Sequence, residues 1–296
     1  MSMLAPPAPA QPRERIDWSR LARPQEDGYD TEVILDLATG GGSLLRPEPW
    51  RRRSAEGAPT LFGGRVAVRN REQGGLPAPH YAPAAPDHPN LAAAAAILSL
   101  WPAAAAQFAT LVDTIQPWTD TTIPDHARAI PGSSSHSEEA EFGIVMVTVD
   151  SPFGLAQALV HEMAHHKLRA LGVSLLRAER LVANDPNQLY TSPIIVGRKR
   201  PMTAVLHAQY SFIHVTALDV AVYRGAGEAS ELREQAVYLL ARNVPRMEAG
   251  YDELGRHLQT DEDGAAFQSG FMAWSAEVLS AGRAILDAEG YGMPSL

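Results

Sequence analysis

The 296-residue chain contains no cysteine. Disulfide bonds, thiolate metal ligands and cysteine nucleophiles are therefore excluded. The sequence also lacks a long hydrophobic run, because its most apolar window, residues 91–106, is rich in alanine and interrupted by Pro102. Such a window is too short and too weakly apolar to span a bilayer. The first residues have neither the basic nor the apolar segment of a signal peptide. These absences predict a cytoplasmic protein without a membrane partner.

Basic charge is scarce as well. The chain has 25 Lys and Arg residues against 34 Asp and Glu residues, and a formal net charge of -9. A nucleic-acid-binding protein needs a basic face that meets phosphates, and the basic clusters at residues 51–53 and 198–200 are short. No nucleic-acid partner is therefore expected. The 45% of hydrophobic residues is typical of a globular protein, and the composition does not indicate an oligomeric state.

Composition divides the chain into three segments. Within the second segment, residues 26–89, a strand is predicted at residues 31–37. A linker rich in proline and glycine is predicted at residues 70–90. The segments are a disordered tail at residues 1–25, a small segment with strands and the linker at residues 26–89, and a helical metal-binding catalytic domain at residues 90–296. The predicted fold class is mainly α (α+β).

Helical periodicity begins at residue 90 and predicts a helix to about residue 115, with a stop near Pro117 and a kink or division at Pro102. The polar residues 131–139 predict an exposed loop. Residues 142–149 are apolar and β-branched, which predicts a strand. Further helices are predicted at residues 174–184, 201–224, 227–247 and 262–289.

A helix is predicted directly after the strand at residues 142–149, which is the small β element of the catalytic domain. Asp150 or Ser151 caps it, Pro152 occupies its first turn, and Gly172 ends it. It carries the sequence His-Glu-Met-Ala-His at residues 161–165. Side chains four residues apart share a helix face, with Cβ atoms about 6 Å apart. Two imidazoles at this spacing reach one divalent ion at about 2.0–2.1 Å.

His161 and His165 are therefore the predicted metal ligands, and Glu162 is the candidate catalytic residue, directed toward a metal-bound water or a neighbouring ligand. The alternative is an amphipathic helix whose polar face lies in water. The apolar surroundings disfavour it, because buried histidines without a partner are costly. His166 points to another face of the helix and is a weaker candidate.

A third ligand must come from elsewhere in the chain. A metzincin needs glycine at position 168 and histidine at position 171, but both are leucine. A gluzincin needs a later glutamate with an aspartate four residues on, and Glu179, Glu228, Glu231 and Glu234 do not provide this. The favoured residue is His207, on the helix that Pro201 opens. His214 and Asp219 are alternatives, and a core histidine bonded to a carbonyl is the alternative role for His207.

Several blocks, in order along the chain, resemble the HExxH-motif peptide-modification family. They are Phe142-Gly143, the helix residues 155–165, residues 189–193, Arg200-Pro201-Met202 and residues 206–210. The resemblance covers roughly residues 90–225, and it departs at residues 194 and 195, where isoleucines replace an expected Trp-Arg pair. Members of this family accompany ribosomally made, post-translationally modified peptides. Some are α-ketoglutarate-dependent peptide β-hydroxylases that use iron.

The resemblance implies an Fe(II)/2-oxoglutarate-dependent oxygenase that hydroxylates a side-chain β-carbon of a ribosomally synthesised precursor peptide. His161, His165 and His207 would hold the iron. Arg200 would bind the distal carboxylate of 2-oxoglutarate, because a guanidinium forms charge-assisted, bidentate hydrogen bonds with carboxylates. Arg198 and Lys199 are back-ups, and a solvated basic turn is the alternative for all three residues at 198–200.

Two other functions are compatible with the motif. A zinc-dependent metallopeptidase would use Glu162 to deprotonate a zinc-bound water, and the HExxH motif is typical of such enzymes. A structural metal site or peptide-binding module without activity is the non-enzymatic alternative. Imidazole suits both iron and zinc, so the ligand types leave the metal open.

Overall fold

A computed structural model of the chain describes residues 16–41, 43–46, 48–71, 79–123, 133–195, 197–227 and 230–291. The fold is mainly α with a small mixed sheet, which confirms the predicted class. The α-helices are α1 (Tyr29–Gly40), α2 (Pro89–Leu98), α3 (Pro102–Leu111), α4 (Pro152–Ala170), α5 (Met202–Gly225), α6 (Glu231–His257) and α7 (Glu262–Ala288). The strands are β1 (Thr60–Leu61), β2 (Val66–Val68), β3 (Tyr81–Pro83), β4 (Thr114–Asp120), β5 (Ser135–His136), β6 (Ile144–Thr148), β7 (Leu189–Thr191) and β8 (Lys199–Pro201).

The main sheet has the strand order β1-β2-β4-β6-β5, and β3 also pairs with β4. Strands β2, β4 and β6 are mutually parallel, whereas β5 runs antiparallel to β6. Every residue of β6 is buried, as expected for a strand covered on both faces. The strand predicted at residues 142–149 is confirmed. Strands β7 and β8 form a separate antiparallel pair.

The helix that carries the HExxH motif is α4, and its predicted ends are confirmed. The side chain of Ser151 accepts a hydrogen bond from the amide of Gly154, and Pro152 occupies the first turn. Gly172, with a φ of 86°, follows the last turn. Helix α4 packs against β6, α2 and α5, so nearly all of its residues are buried. His161 and His165 are the exceptions within the motif, because both are only half-buried.

The N-terminal segment differs from its prediction in two places. Residues 31–37 lie in α1 and not in a strand, because Ile34 and Ala38, four residues apart, both face the core. Trp18–Ala22 forms a short 3-10 helix that packs on α7, so the disordered tail predicted at residues 1–25 is wrong from residue 16 onward. Residues 1–15 of that prediction lie outside the described residues.

The long helix predicted from residue 90 is divided at Pro102 into α2 and α3, as the proline suggested. It ends at Leu111 and does not reach residue 115, because the chain enters β4, which includes Pro117. The predicted linker contains β3, which pairs with β4, and its residues 72–78 lie outside the described residues. The sheet therefore crosses the boundary predicted at residue 90.

Two further predictions were wrong. The exposed loop at residues 131–139 contains β5 and the buried Ser137, while residues 131 and 132 are not described. Residues 174–184 form no helix, since the hydroxyl of Ser174 accepts the amides of Leu176 and Arg177 and holds a turn. Helix α6 begins four residues later than predicted, continues through Pro245 and ends at His257, ten residues beyond its predicted end. Helices α5 and α7 match their predicted bounds closely.

The helices and the sheet share one hydrophobic core, to which residues from Trp18 to Leu286 contribute. Inside it, the ammonium group of Lys167 on α4 lies 3.2 Å from the carboxylate of Asp30 on α1, and both side chains are fully buried. This ion pair fixes α4 against the N-terminal segment. In the described part of the chain, no helix combines the length and the hydrophobicity that a membrane span requires.

Candidate metal centre

The centre is built on one face of α4. The Nε2 atoms of His161 and His165 lie 3.0 Å apart, with their rings at 86° to each other. Two ligands bound at about 2.0–2.1 Å to one ion leave a similar separation. His161, Glu162 and His165 each offer a ligand atom within 4.8 Å of the others. The two histidines predicted as ligands are therefore brought together in a geometry that fits a divalent ion.

Glu162 is buried beside the two histidines, and one of its carboxylate oxygens lies 4.0 Å from Nε2 of His161. The hydroxyl of Ser137 donates a hydrogen bond to the other carboxylate oxygen. The guanidinium of Arg169 in turn donates to the hydroxyl and the carbonyl of Ser137, at 3.0 Å and 2.8 Å. These contacts fix the direction of the carboxylate. Sequence reasoning missed both Ser137 and Arg169, because Ser137 belongs to a segment that was predicted to be exposed.

His207 on α5 contacts the centre from the other side of His165. Its Nδ1 lies 2.8 Å from Nδ1 of His165, and its Nε2 lies 2.9 Å from the carbonyl oxygen of Val173. Because a carbonyl only accepts, Nε2 of His207 carries the proton and Nδ1 accepts. Nδ1 of His165 then donates, and Nε2 of His165 presents its lone pair toward His161. His207 thus selects the tautomer of His165 that binds a metal.

The role of His207 as a third ligand is a separate question. His207 does not belong to the group of donor atoms that lie within 4.8 Å of one another in the described part of the chain. Its Nε2 is hydrogen-bonded to the carbonyl oxygen of Val173. A core histidine bonded to a carbonyl was the alternative role predicted for it. Its assignment as a ligand stays a prediction, and its contact with His165 gives it a clear second role.

Burial sets the protonation of all three histidines. It lowers the pKa of His161 against the opposing effect of Glu162, and it lowers the pKa of His165 well below its usual range. Burial, assisted by Arg169, lowers the pKa of His207 to about 3. Neutral imidazoles have the free lone pair that a metal needs, so the centre is in its metal-binding protonation state at neutral pH.

The weaker candidates for metal ligation form hydrogen bonds outside the centre. Nδ1 of His214 lies 2.8 Å from the carbonyl oxygen of Tyr210, and its ring packs edge-on against Trp274. His166 bonds to the carbonyl of Ile144, 3.1 Å away. The carboxylate of Asp219 accepts hydrogen bonds from Gln157 and Asn243. None of the three belongs to the donor group around His161.

A cavity of about 430 Å³ adjoins the two histidines. Arg200 lines it. Arg198 and Lys199 are exposed and do not line it. Strand alternation explains the difference between neighbours, because Lys199 and Arg200 in β8 point to opposite faces. Other side chains that line the cavity are Ser133, Ser135, Gln157, Leu175, Ile194, Ile195, Ser211, Phe212, Val215 and Arg242.

Sequence reasoning assigned no role in the site to these other residues, and two of them have notable contacts or charge. Phe212 on α5 packs edge-on against His161, with ring centroids 5.2 Å apart. Arg242 on α6 is half-buried and lines the same cavity as Arg200. The apolar periodicity of α6 shows which of its residues face the core. It does not show which other helix packs against those residues. The packing of α6 on α5 had to be known before Arg242 could be placed.

One later glutamate has the gluzincin spacing and was not among the candidates from sequence. Glu248 is followed four residues on by Asp252. However, Glu248 pairs with Arg283 of α7 and lines a different groove, together with Asp252. It is not among the donor atoms around His161 and His165. A gluzincin ligand set is therefore not assembled by this pair.

Comparisons with known proteins do not assign the chain to a family. No protein-family model matches the sequence, and no curated protein matches it. Membership of the HExxH-motif peptide-modification family therefore stays a prediction based on the sequence blocks. The geometry of the centre and its cavity must support any functional assignment.

Proposed function

We propose that this protein is an Fe(II)/2-oxoglutarate-dependent oxygenase that hydroxylates a side-chain β-carbon of a ribosomally synthesised precursor peptide. The observation that carries the proposal is that Arg200 lines the same cavity as His161 and His165. A metal-binding histidine pair and an arginine in one cavity match the two ends of a 2-oxoacid with a second carboxylate. The peptide as substrate follows from the sequence resemblance.

The shape and charge of the cavity support the 2-oxoglutarate part of the proposal. Its volume of about 430 Å³ lies within the range of small-molecule sites. No aspartate or glutamate is among the described residues that line it, and Ser137 holds the carboxylate of Glu162 by a hydrogen bond. A guanidinium binds a carboxylate through two parallel charge-assisted hydrogen bonds. Arg200 is half-buried, and partial exclusion of water strengthens such a contact.

The residues around the centre have distinct tasks in this proposal. Iron, when bound, would supply the activation of O₂ that a β-carbon hydroxylation requires. His161 and His165 present neutral Nε2 atoms to the metal, and His207 holds His165 in the required tautomer. Phe212 and Ile194 give the cavity an apolar wall that limits access of water. Glu162, fixed by Ser137, orients a bound water and does not serve as a general base.

The proposal is tested with anaerobically purified protein, Fe(II), 2-oxoglutarate and O₂. We expect succinate release and, with the cognate precursor peptide, a mass increase of about 16 Da for each oxygen added. Arg200→Gln should raise the KM for 2-oxoglutarate at least about tenfold through loss of a charge-assisted bond, while Arg198→Gln should leave it unchanged. Succinate formation that is equally unaffected by both variants would contradict the assignment of Arg200.

A zinc-dependent metallopeptidase is the second candidate, and one observation favours it. The carboxylate of Glu162 lies 4.0 Å from Nε2 of His161, which is close enough to reach a water on a metal held there. In this alternative, zinc alone supports peptide cleavage and Glu162→Gln abolishes it while the metal stays bound. Cleavage by the zinc-loaded protein without 2-oxoglutarate would replace the oxygenase proposal with this one.

A further inference from the structure

The cavity beside the histidine pair contains a second arginine whose charge has no assigned use. Arg242 of α6 and Arg200 of β8 both line this cavity, and both are half-buried. Within the described residues, neither guanidinium forms an ion pair with a carboxylate. Two half-buried cations without a counter-charge in one cavity favour anionic ligands.

The polar neighbours of Arg242 do not neutralise it. Its Nε atom donates a long hydrogen bond, 3.4 Å, to the side-chain oxygen of Asn243. Asn243 and Gln157 both donate to the carboxylate of Asp219, at 3.2 Å and 2.6 Å. Burial raises the pKa of that carboxyl to about 8, against the two hydrogen bonds and the charge of Arg242, which lower it. Burial thus favours the neutral form of Asp219, and the two side chains form no ion pair.

The charge of this cavity is opposite in sign to the net charge of the chain. The chain as a whole has a formal net charge of -9, so its overall surface repels anions. The cavity, by contrast, has two arginines and no acidic residue among its described lining. In the proposed oxygenase, the metal and Arg200 receive the two ends of 2-oxoglutarate. Arg242 is then left free for an anionic group on the other substrate.

We propose that Arg242 binds a carboxylate of the peptide substrate, so that the peptide carries an aspartate or glutamate at or next to the modified residue. This inference rests on the proposed function, because it assigns the other arginine to 2-oxoglutarate. A bidentate guanidinium–carboxylate contact would fix the peptide in the cavity.

The test uses short N-acetylated, C-amidated peptides whose central residue is Asp, Glu, Asn, Gln or Lys. They are offered as a mixture to the full chain loaded with Fe(II) and 2-oxoglutarate under nitrogen, and retained peptides are quantified by mass spectrometry. We expect retention of the acidic peptides to exceed that of their amide counterparts by about tenfold. Arg242→Gln should remove this preference. Arg246→Gln is the matched control, since Arg246 is exposed on the same helix and does not line the cavity.

Further variants separate the possible outcomes. Arg242→Lys should retain part of the acidic preference, and Arg242→Glu should select peptides with a central lysine. Equal melting temperatures for Arg242→Gln and Arg246→Gln show that the fold is intact. No acidic preference in the unaltered protein, or a preference that survives Arg242→Gln, overturns the inference.

Two outcomes distinguish this inference from the proposed function. If Arg242→Gln weakens binding of 2-oxoglutarate and leaves the acidic preference unchanged, Arg242 belongs to the co-substrate and the inference is overturned. If no variant or condition yields succinate but the acidic preference depends on Arg242, the oxygenase is refuted and the carboxylate contact is supported. Binding and turnover are thus measured separately on the same preparations.

Discussion

The Nδ1 atom of His165 lies 2.8 Å from the Nδ1 atom of His207. The opposite nitrogen of His207 lies 2.9 Å from a backbone carbonyl oxygen, that of Val173. This chain of contacts assigns one proton to each histidine and directs the unprotonated nitrogen of His165 toward His161. A residue predicted as a ligand is therefore also the partner that orients a ligand.

His207→Ala should reduce metal affinity, because His165 would lose the acceptor that fixes its tautomer. Loss of such a partner typically lowers affinity by about 10–100-fold. Equilibrium titration with zinc or cobalt measures the effect, and X-ray absorption of the metal-loaded protein counts the histidine ligands. His207→Gln, whose side-chain oxygen can accept from His165, should recover part of the affinity. A coordination sphere that loses one histidine in both variants would instead make His207 the third ligand.

Ser137→Ala should destabilise the protein and disturb the centre, because Ser137 connects Glu162 with Arg169. Buried polar groups left without a partner cost about 1–3 kcal/mol each. Urea unfolding should show a loss of this size without a change in the m-value. Ser134→Ala is the control, since Ser134 is exposed. Equal stability of the two variants would show that the Ser137 bridge contributes nothing.

The buried carboxyl of Asp219 should make stability depend on pH. Burial raises its pKa in the folded protein to about 8, from the value of 3.8 that is usual for an aspartate side chain. Between these two pKa values the folded protein retains the proton, whereas the unfolded protein loses it. The folded state is therefore destabilised as pH rises through this range. The contribution of Asp219 to the free energy of unfolding should therefore be fully present below about pH 4. It should be lost as pH approaches about 8, and the loss should amount to about a few kcal/mol at most.

Asp219→Asn tests this dependence. The free energy of unfolding of the variant should fall less than that of the unaltered protein between about pH 5 and about pH 8, as measured by urea denaturation at these pH values. Asp252→Asn is the control, because the side chain of Asp252 is 61% exposed. If both variants follow the same pH profile as the unaltered chain, Asp219 is ionised in the folded state.

Gly250→Ala should destabilise the contact between α6 and α5. An added Cβ would lie 1.9 Å from the side-chain oxygen of Gln209 and 2.8 Å from a ring carbon of Pro193. Gln209 is held in place by its hydrogen bond to the carbonyl of Met247, 2.7 Å away. Overpacking of this kind costs about 1–3 kcal/mol, and thermal unfolding measures it.

The same helix provides the matched control. A Cβ at Gly255 would meet only the end of Met272 at 3.6 Å, which is an ordinary contact. Gly255→Ala should therefore stabilise the helix by about 0.5–1 kcal/mol, since alanine loses less entropy than glycine there. Stabilisation by both substitutions would show that α6 does not approach Gln209 closely.

Local sequence signals predicted the motif-bearing helix well. Helix α4 combines a serine cap, a proline in the first turn and a glycine stop, and each of these acts within a few residues. The separation of His161 and His165 by one helical turn then fixed their mutual position. The division at Pro102 was predictable for the same reason, because proline acts on its own helix.

Features that depend on distant partners were not predicted. Residues 31–37 contain a short run of apolar residues, 33–35, that suits a strand, but the packing of Ile34 in α1 against α3 and α4 makes a helix the better packed choice. Strand β5 is only two residues long and exists because β6 provides its hydrogen-bond partner. Arg242 and Ser137 reach the site through tertiary packing, so no spacing in the sequence connects them with His161.

The most direct test of the central claim is anaerobic titration of 2-oxoglutarate into the Fe(II)-loaded protein, followed through the visible charge-transfer absorption of an iron-bound 2-oxoacid. The unaltered protein and Arg198→Gln should develop this absorption with the same affinity. Arg200→Gln should need about tenfold more 2-oxoglutarate or higher, and His161→Ala should develop none. Absence of the absorption in the unaltered protein, together with zinc-supported peptide cleavage that requires Glu162, would contradict the account.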